Sequence, residues 1–358
     1  MKTQMRWLGV ALGLACLACW AAPPAEAQTY GGTGVLKIKP GGRATGMGQS
    51  GVALDQRAHS IWWNPAALAG LAGTELSSTV AKLVPDLADD VYYLNIAYAS
   101  ELGGWGGFGV DVMYLSYGKT EAVDNENISH GFFSSYEFVP AVGFGTRVHG
   151  GRPGSIIGDI DVGVSLKYIL VDLAPEWAMA IVGVEKDGRA DAFGVDLGFR
   201  MTGQLGVPYA VGFNVQNIGS ELVFIEADQG DPLPRNLKAG IGVQAYQGEA
   251  LGIVASFDVN KALITYPGRD ELEGQPRFGW GEAKELLNAG VEFSIQSRLH
   301  FRAGYVYDPE GEIEAATFGA GLDVGFGNER VVRFDYSSVP QALDLERVSY
   351  LSVGVLFQ

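Results

Sequence analysis

The stretch from Asp159 to Asp172 reads DIDVGVSLKYILVD and alternates between apolar and polar residues. The positions between its apolar residues include Asp161, Gly163, Ser165 and Lys167. Because successive side chains of a β-strand point to opposite faces, this stretch predicts a strand with one apolar and one polar face. A membrane-spanning β-barrel needs such strands, with the apolar face toward lipid and the polar face toward the lumen.

The same alternation recurs along the chain. It predicts fourteen strands, at 76–83, 91–100, 105–118, 137–149, 156–172, 189–202, 207–218, 236–247, 250–260, 286–297, 299–308, 315–326, 329–338 and 347–357. Connections after odd-numbered strands are mostly long, and those after even-numbered strands are short. Long loops at one rim, short turns at the other and an even strand number are typical of bacterial outer-membrane barrels. This parity predicts both chain ends at the short-turn, periplasmic rim; a secreted two-sheet sandwich or a propeller would not sort its turns this way.

The first residues predict a secretory signal peptide over 1–27. A basic start with Lys2 and Arg6 precedes a short apolar run, and Ala25-Glu26-Ala27 forms a small-x-small cleavage site. The run has about 13 residues, fewer than the roughly 20 that a spanning helix needs. Cys16 and Cys19 lie in this segment without the usual lipoprotein pattern before them. Cleavage would leave a mature chain without cysteine, so no disulfide would support its fold.

Composition narrows the class of partner. The formal net charge is −16, which argues against nucleic-acid binding because that depends on basic patches. Residues 28–73 are rich in Gly and Ala and lack sustained alternation, so they predict a compact segment of turns and short helices. Residues 74–358 form the predicted barrel.

The N-terminal block carries a family resemblance. From Gly41 to Leu71 it reads GGRATGMGQSGVALDQRAHSIWWNPAALAGL. It resembles the opening of the PorV/PorQ family of outer-membrane proteins, which is related in fold to the FadL fatty-acid channels. The matching residues are Gly41 or Gly42, Arg43, Gly46, Met47 and Gly48, and then Trp63, Asn64, Pro65 and Ala66, with Trp62 directly before the second group. The resemblance implies a 14-stranded antiparallel barrel with the N-terminal segment in the lumen.

The end of the chain resembles the same class of protein. The last strand ends in VLFQ, and Phe357 is similar to the C-terminal aromatic residue by which outer-membrane barrels are recognised for insertion. Here Gln358 follows it, which departs from the usual terminal position of the aromatic residue.

The resemblance implies two functions. PorV-like proteins act with the type IX secretion machinery, so the chain is predicted to be a partner-binding component of protein secretion or surface attachment. Its partners would be secreted cargo or export-machinery proteins, besides the lipid of the outer membrane. The alternative is a FadL-like transporter of a hydrophobic ligand.

Other motifs give weaker hypotheses. Residues 46–51 fit G-x-G-x-x-G, but no βαβ unit surrounds them, so we expect plug turns rather than a dinucleotide site. Trp62 and Trp63 could line a lumenal pocket, or they could anchor the plug while Asn64 caps a helix that begins at Pro65. The four histidines show no metal-ligand spacing, and the acidic run 124–127 has no EF-hand spacing. No catalytic constellation, metal site or cofactor site is predicted.

Two further sets of residues are predicted to have a structural or binding role. The first is a set of lumen-facing charges that would hold the plug and neighbouring strands together: Asp161, Lys167, Asp196, Arg200, Asp258, Glu292, Arg302, Asp323, Arg333 and Asp335. The second lies in the long loop 173–188, where exposed apolar residues predict a contact surface at the outer rim. Its members are Trp177, Met179 and Ile181.

Overall fold

The computed structural model describes residues 33–224, 230–265, 277–278, 284–326, 330–342 and 345–357. Among these residues, fourteen strands close into one barrel. In chain order they are β1 (Thr74–Lys82), β2 (Val91–Glu101), β3 (Gly107–Val123), β4 (Ser129–His149), β5 (Ile160–Asp172), β6 (Arg189–Leu205), β7 (Val207–Gly219), β8 (Asn236–Gln247), β9 (Leu251–Ala262), β10 (Leu286–Ile295), β11 (Leu299–Asp308), β12 (Ile313–Phe326), β13 (Arg330–Val339) and β14 (Val348–Phe357). The predicted signal peptide and Gln358 lie outside the described residues.

Helical structure is short. The helices are α1 (Gly42–Gly46), α2 (Ser60–Trp63) and α3 (Glu176–Ile181), with 3-10 turns at Val35–Lys37, Arg57–His59, Pro65–Gly70 and Gly103–Trp105. Within the described residues, none of these is long and apolar enough to cross a membrane. Two-residue strand pairs join Glu221–Leu222 to Asp231–Pro232 and Ile264–Thr265 to Arg277–Phe278.

Each barrel strand pairs with the strands next to it in the sequence, except where the first and last strands meet. Every pair is antiparallel, and β1 closes the barrel against β14 with Thr74 opposite Phe357. The predicted fold class is therefore confirmed. Predicted strands 236–247 and 299–308 coincide with β8 and β11. The outward side chains alternate with buried ones: Leu166 and Leu197 are 48% and 51% exposed, while Asp161 and Asp196 are fully buried.

The connection between β3 and β4 differs from the prediction. β3 runs to Val123 rather than 118, and β4 begins at Ser129 rather than 137. A predicted long loop is thus a hairpin whose strands pair almost to its turn. The alternation fades here because this ribbon leaves the barrel wall, so no buried face requires every second residue to be apolar.

Residues 33–73, here called the plug segment, lie inside the ring of strands. Their backbone groups bond to inner side chains around the barrel: Gly42 N donates to Ser352 of β14 at 2.9 Å, and Gly51 N to Asp258 of β9 at 2.6 Å. On another part of the wall, Asn214 of β7 donates to the Trp63 carbonyl at 2.9 Å. Contacts on several sides of one ring require the segment to occupy its centre.

The plug segment crosses the lumen from one half to the other, while the N-terminal chain end predicted at the short-turn rim lies outside the described residues. The ends of the barrel, Thr74 and Phe357, lie at the short-turn rim as predicted. Thr33, however, donates a hydrogen bond to Glu137, which lies in the outer part of β4. The plug segment therefore runs from the outer half of the lumen down to the periplasmic start of β1, because its backbone N–H groups are bound there by a buried carboxylate.

Glycines let the wall approach the plug segment closely. A Cβ added to Gly163 would lie 2.3 Å from the carbonyl carbon of Pro65, and one added to Gly304 would lie 2.0 Å from Gly48 N. Side chains at these inner positions would collide with plug backbone. The high glycine content of the strands thus makes room for the plug segment.

We expect Gly163→Ala to destabilise the folded barrel by at least ~1–3 kcal/mol, because overpacking against fixed backbone forces a shift of the plug. The matched control is Gly325→Ala in β12, where an added Cβ meets nothing within 4 Å. The measurement is the temperature at which the unboiled gel band converts to the unfolded one. Equal conversion temperatures for the two variants would contradict the proposed packing.

The inner face of the barrel is not polar along its whole length, which corrects the expectation of a polar face toward the lumen. In its outer half the inner wall, the plug segment and the β7–β8 connection form one apolar cluster, which includes Val35, Leu36, Trp62, Trp63, Tyr93, Met113, Leu115, Val139, Ile169, Val171, Leu222, Leu233 and Tyr350. In β5 the inner face changes from Lys167 to Ile169 and Val171. The wall is apolar there because it packs on plug side chains instead of water.

Candidate functional site

The β3–β4 hairpin projects beyond the barrel. β3 pairs with β2 only as far as Tyr117, and β4 pairs with β5 only as far as Tyr136. Beyond these residues the two strands pair with each other alone, up to Val123 opposite Ser129. This ribbon, residues 117–135, is called the outer hairpin below. At ~3.3 Å per residue it extends roughly 20 Å past the neighbouring strands.

A bulge sets the direction of the outer hairpin. Its register shifts between Ser116 and Lys119, where Gly118 adopts a φ of +81°. Asp90, which precedes β2, accepts from Lys119 N at 2.9 Å through its carboxylate and from Ser116 Oγ at 2.8 Å through its carbonyl. A side chain at Gly118 would meet the Asp90 carboxylate at 2.6 Å. The base of the hairpin is therefore held to β2 by specific bonds.

The acidic run at the hairpin tip builds the turn. Asp124 Oδ1 accepts from the backbone N–H groups of Glu126 and Ile128, each at 2.9 Å, and Oδ2 meets His130 Nε2 at 2.8 Å. The hydrogen bond from His130, followed by that from Ile128, lowers the pKa of the Asp124 carboxyl. Asn127 takes the left-handed conformation, with φ of 63°. Within the described residues no cluster of metal-ligating side chains occurs, and this carboxylate is used by its own turn.

The β5–β6 loop packs its helix against the outer hairpin. Trp177 of α3 meets Phe133 edge to face, with ring centroids 6.1 Å apart and planes at 84°. The base of the loop is closed by Leu173 N donating to Gly188 O and Gly188 N donating to Ala174 O. Trp177 remains 44% exposed, whereas Met179 and Ile181 are half-buried. Of the three predicted contact residues, Trp177 is thus the most available to a partner.

Several exposed apolar side chains lie on the outer hairpin and in the β5–β6 loop beside it. They are called the outer apolar surface and comprise Val123, Ile128, Phe132, Trp177 and Val182, of which Phe132 and Val182 are 65% and 63% exposed. Below them, Tyr92, Tyr114 and Tyr136 form a row on the outer wall, with successive ring centroids 6.0 and 5.8 Å apart. Aromatic girdles mark the membrane interface of such barrels. The outer apolar surface lies beyond that row, on the water side.

The lumen-facing charges form separate networks. On one wall, Lys167 Nζ lies 2.7 Å from Asp196 Oδ2, and both side chains are buried. Nearby Asp161 meets Arg147 at 3.0 Å and Arg200 at 3.6 Å. These pairs join neighbouring strands, while Arg200 also donates to the plug carbonyl of Ala53 at 3.0 Å.

The opposite wall binds the plug segment more directly. Arg43 of α1 meets Glu292 at 2.8 Å, and Arg302 bridges Glu292 and Asp335 with contacts of 2.6 Å to each. Arg333 meets Asp323 at 2.5 Å, joining β12 and β13. The structure therefore brings Arg43 together with the predicted inner charges of β10 and β11.

Sequence reasoning missed Glu137. This buried carboxylate accepts from Gly34 N and Val35 N, each at 2.9 Å, and from the hydroxyls of Thr33 and Tyr117. It fixes the beginning of the described plug segment. Its position on the inner face of β4 could have indicated this role. The position was not recognised because the strand was predicted to begin only at 137.

The motif residues of the plug segment have structural partners. The side chain of Asn64 accepts from Ala66 N at 3.1 Å and caps the Pro65–Gly70 turn, which is 3-10 rather than α-helical. It also donates to the carbonyls of Val52 and Phe199. Trp62 and Trp63 pack edge to face with centroids 4.9 Å apart.

The glycine motif sits against β12. Thr317 Oγ1 donates to Gly46 O at 2.9 Å and accepts from Gly48 N at 2.8 Å, while Met47 between them is fully buried. At the end of β14, Phe357 is 41% exposed, and the Arg330 guanidinium lies 5.6 Å from its ring centroid.

Comparison with known families decides the identity. The family model of the type IX secretion system protein PorV matches residues 25–269. The chain belongs to the PorV family. Among curated proteins, none matches the chain. This PorV-family chain is an outer-membrane β-barrel, and its N-terminal block is part of the matched region.

Solved structures share the fold of this PorV-family barrel. The toluene transporter TbuX of Ralstonia pickettii is 15% identical, with a TM-score of 0.50, over 88% of this chain and 97% of that chain. The monoaromatic hydrocarbon channel CymD is also 15% identical, with a TM-score of 0.50, over 87% of this chain and 94% of that chain. At this identity the likeness concerns the fold alone.

Proposed function

We propose that this PorV-family barrel is a non-enzymatic, partner-binding component of protein secretion or surface attachment. Its partner is a secreted cargo protein or a protein of the export machinery, bound by the outer apolar surface. The observation that carries the proposal is the outer hairpin, which projects beyond the wall and, together with the α3 helix packed on it, presents Phe132, Ile128 and Trp177 to water. Exposed apolar patches on the water side of a protein mark contact sites.

The hairpin is built to hold its shape without barrel neighbours. Asp90 fixes its base, Asp124 closes its tip, and α3 supports one face through Trp177 and Phe133. A preformed surface loses less conformational entropy when a partner binds than a mobile loop does. This rigidity favours recognition of a partner over a role as a simple surface loop.

The interior gives less support to transport of a hydrophobic molecule. Much of the outer half of the lumen is occupied by an apolar cluster, in which Tyr93, Met113 and Ile169 are all fully buried against the plug segment. Passage would require the plug segment to leave wall glycines that it touches at close range. We therefore favour partner binding over the FadL-like alternative.

The two functions separate in one experiment. The protein is purified natively in mild detergent, and the preparation is analysed by mass spectrometry for both proteins and small molecules. Co-purification of secreted cargo or export components at near-stoichiometric amounts is the expected result. A stoichiometric lipid or hydrocarbon without any protein partner would contradict the proposal and favour transport.

A further inference from the structure

A cavity opens on the outer side of the lumen, between the plug segment and the wall from β7 to β11. Its volume is about 390 Å³, and it is called the outer cavity. Its basic lining residues are Lys37, Lys39, Arg235, Lys238 and Lys284, against the acidic Asp308 and Glu310. Positive charge thus exceeds negative charge around a space of small-molecule size.

Lys238 is the decisive residue of the outer cavity. It is 2% exposed, and its Nζ lies 3.5 Å from the ring centroid of Trp62 and 4.9 Å from that of Trp63. In the described part of the chain this Nζ has no hydrogen-bond partner. The aromatic face offsets part of the cost of burying an ammonium group, but its N–H donors remain without an acceptor.

A second basic group has an unused donor. Arg235 Nη2 donates to Gly219 O at 3.1 Å, whereas its buried Nε finds no partner among the described residues. The nearby carboxylate of Asp196 is already paired with Lys167 at 2.7 Å. Lys238 and Arg235 therefore each keep a donor that has no hydrogen-bond partner among the described residues.

The cavity at the periplasmic rim provides a contrast. It is larger, about 650 Å³, and is also lined by basic side chains. Two of its arginines are matched by carboxylates: Arg302 contacts Glu292 and Asp335, and Arg333 contacts Asp323. Within each of those ion pairs the two charges neutralise each other, whereas no carboxylate among the described residues bonds to Lys238 Nζ in the outer cavity.

We propose that the outer cavity binds an oxyanion, a carboxylate or a phosphate group of a small molecule, with Lys238 as the central ligand. An oxyanion beside Lys238 would accept the donors that the protein leaves free, in charge-assisted hydrogen bonds. Lys39, from the plug segment, lines the same space and adds positive charge. Leu36, Leu286 and the Trp62 ring provide an apolar wall for the rest of the ligand. This site is separate from the outer apolar surface and does not depend on the proposed function.

The test is calorimetric titration of the full mature protein in detergent. The probes are sodium phosphate and sodium propionate, each compared with sodium chloride at equal ionic strength. Saturable binding of at least one probe, which chloride does not reproduce, is expected. Lys238→Met keeps an unbranched chain against Trp62 but removes the charge, so it should weaken binding at least tenfold. Lys82→Met is the control, because Lys82 pairs with Asp89 on the exposed end of β1.

The two probes also distinguish a phosphate group from a carboxylate. The probe with the higher affinity shows which of these groups the natural ligand carries. Each variant is first checked for a heat-shifted gel band. If Lys238→Met does not fold, Lys39→Met takes its place with the same expected loss. The proposal is overturned if neither probe binds the native protein saturably, or if the folded variant binds as tightly as the native protein.

Discussion

Asp196→Ala should destabilise the barrel by about 3–5 kcal/mol, because it leaves the buried ammonium of Lys167 without its counter-charge. The ion pair is 2.7 Å long, with side-chain exposures of 2% for Lys167 and 0% for Asp196. Asp196 also accepts from Asn217 N at 2.9 Å and from Ser165 Oγ at 3.1 Å. Its removal therefore leaves several buried donors on β5 and β7 without an acceptor.

The matched control is Asp89→Ala, which breaks an ion pair of similar length in water. Asp89 meets Lys82 at 2.9 Å, and both side chains are largely exposed. We expect no measurable change, because exposed ion pairs are screened by solvent. Urea titration in detergent micelles, with the folded fraction read from gel mobility, measures both variants. A similar shift of the midpoint for both would show that burial is not what makes the Lys167–Asp196 pair important.

Phe132→Asp combined with Trp177→Asp should reduce partner binding about 100-fold. Large aromatic side chains dominate interface energies, and each loss of ~1.4 kcal/mol is tenfold in affinity. Phe132 lies on the outer hairpin and is 65% exposed, and Trp177 lies on α3 and is 44% exposed. Both are on the water side of the tyrosine row, so the charges should leave membrane insertion intact. The measurement is recovery of secreted cargo or export components with the purified variant.

Ile156→Asp is the control for that variant. Ile156 is 60% exposed, like Phe132, but it lies in the connection between β4 and β5 at the periplasmic rim. We expect its partner recovery to equal that of the native protein. Undiminished recovery with the double variant, in a barrel that keeps its heat-shifted band, would rule out the outer apolar surface as the binding site.

The barrel itself was predictable from local pattern. A lipid-facing charge costs ~2–4 kcal/mol at mid-membrane, so alternation is enforced wherever a strand crosses the bilayer. This is why β8 and β11 coincide with the predicted ranges. The same constraint stops at the membrane edge, which is why the outer parts of β3 and β4 were predicted as a loop.

The candidate site was only partly predictable. The apolar residues of the loop 173–188 indicated a contact surface, and Trp177 lies there. Its support by Phe133 of the outer hairpin is a contact between two different outer connections of the barrel. The surroundings of Lys238 were equally hidden, because they come from the plug segment and the wall together.

By itself the sequence determined the strand number, the lipid-facing register and the family, because the bilayer imposes a periodic pattern and the Gly41–Leu71 block carries its own motif. The tertiary structure alone decided how the inside is filled. The carboxylate of Glu137 holds the start of the described plug segment in the outer half of the lumen, and Ile169 and Val171 pack in its apolar cluster. Inner-wall residues meet partners distant in sequence, so whether an inward position faces water, a charge or the plug is settled only when the ring closes around that segment.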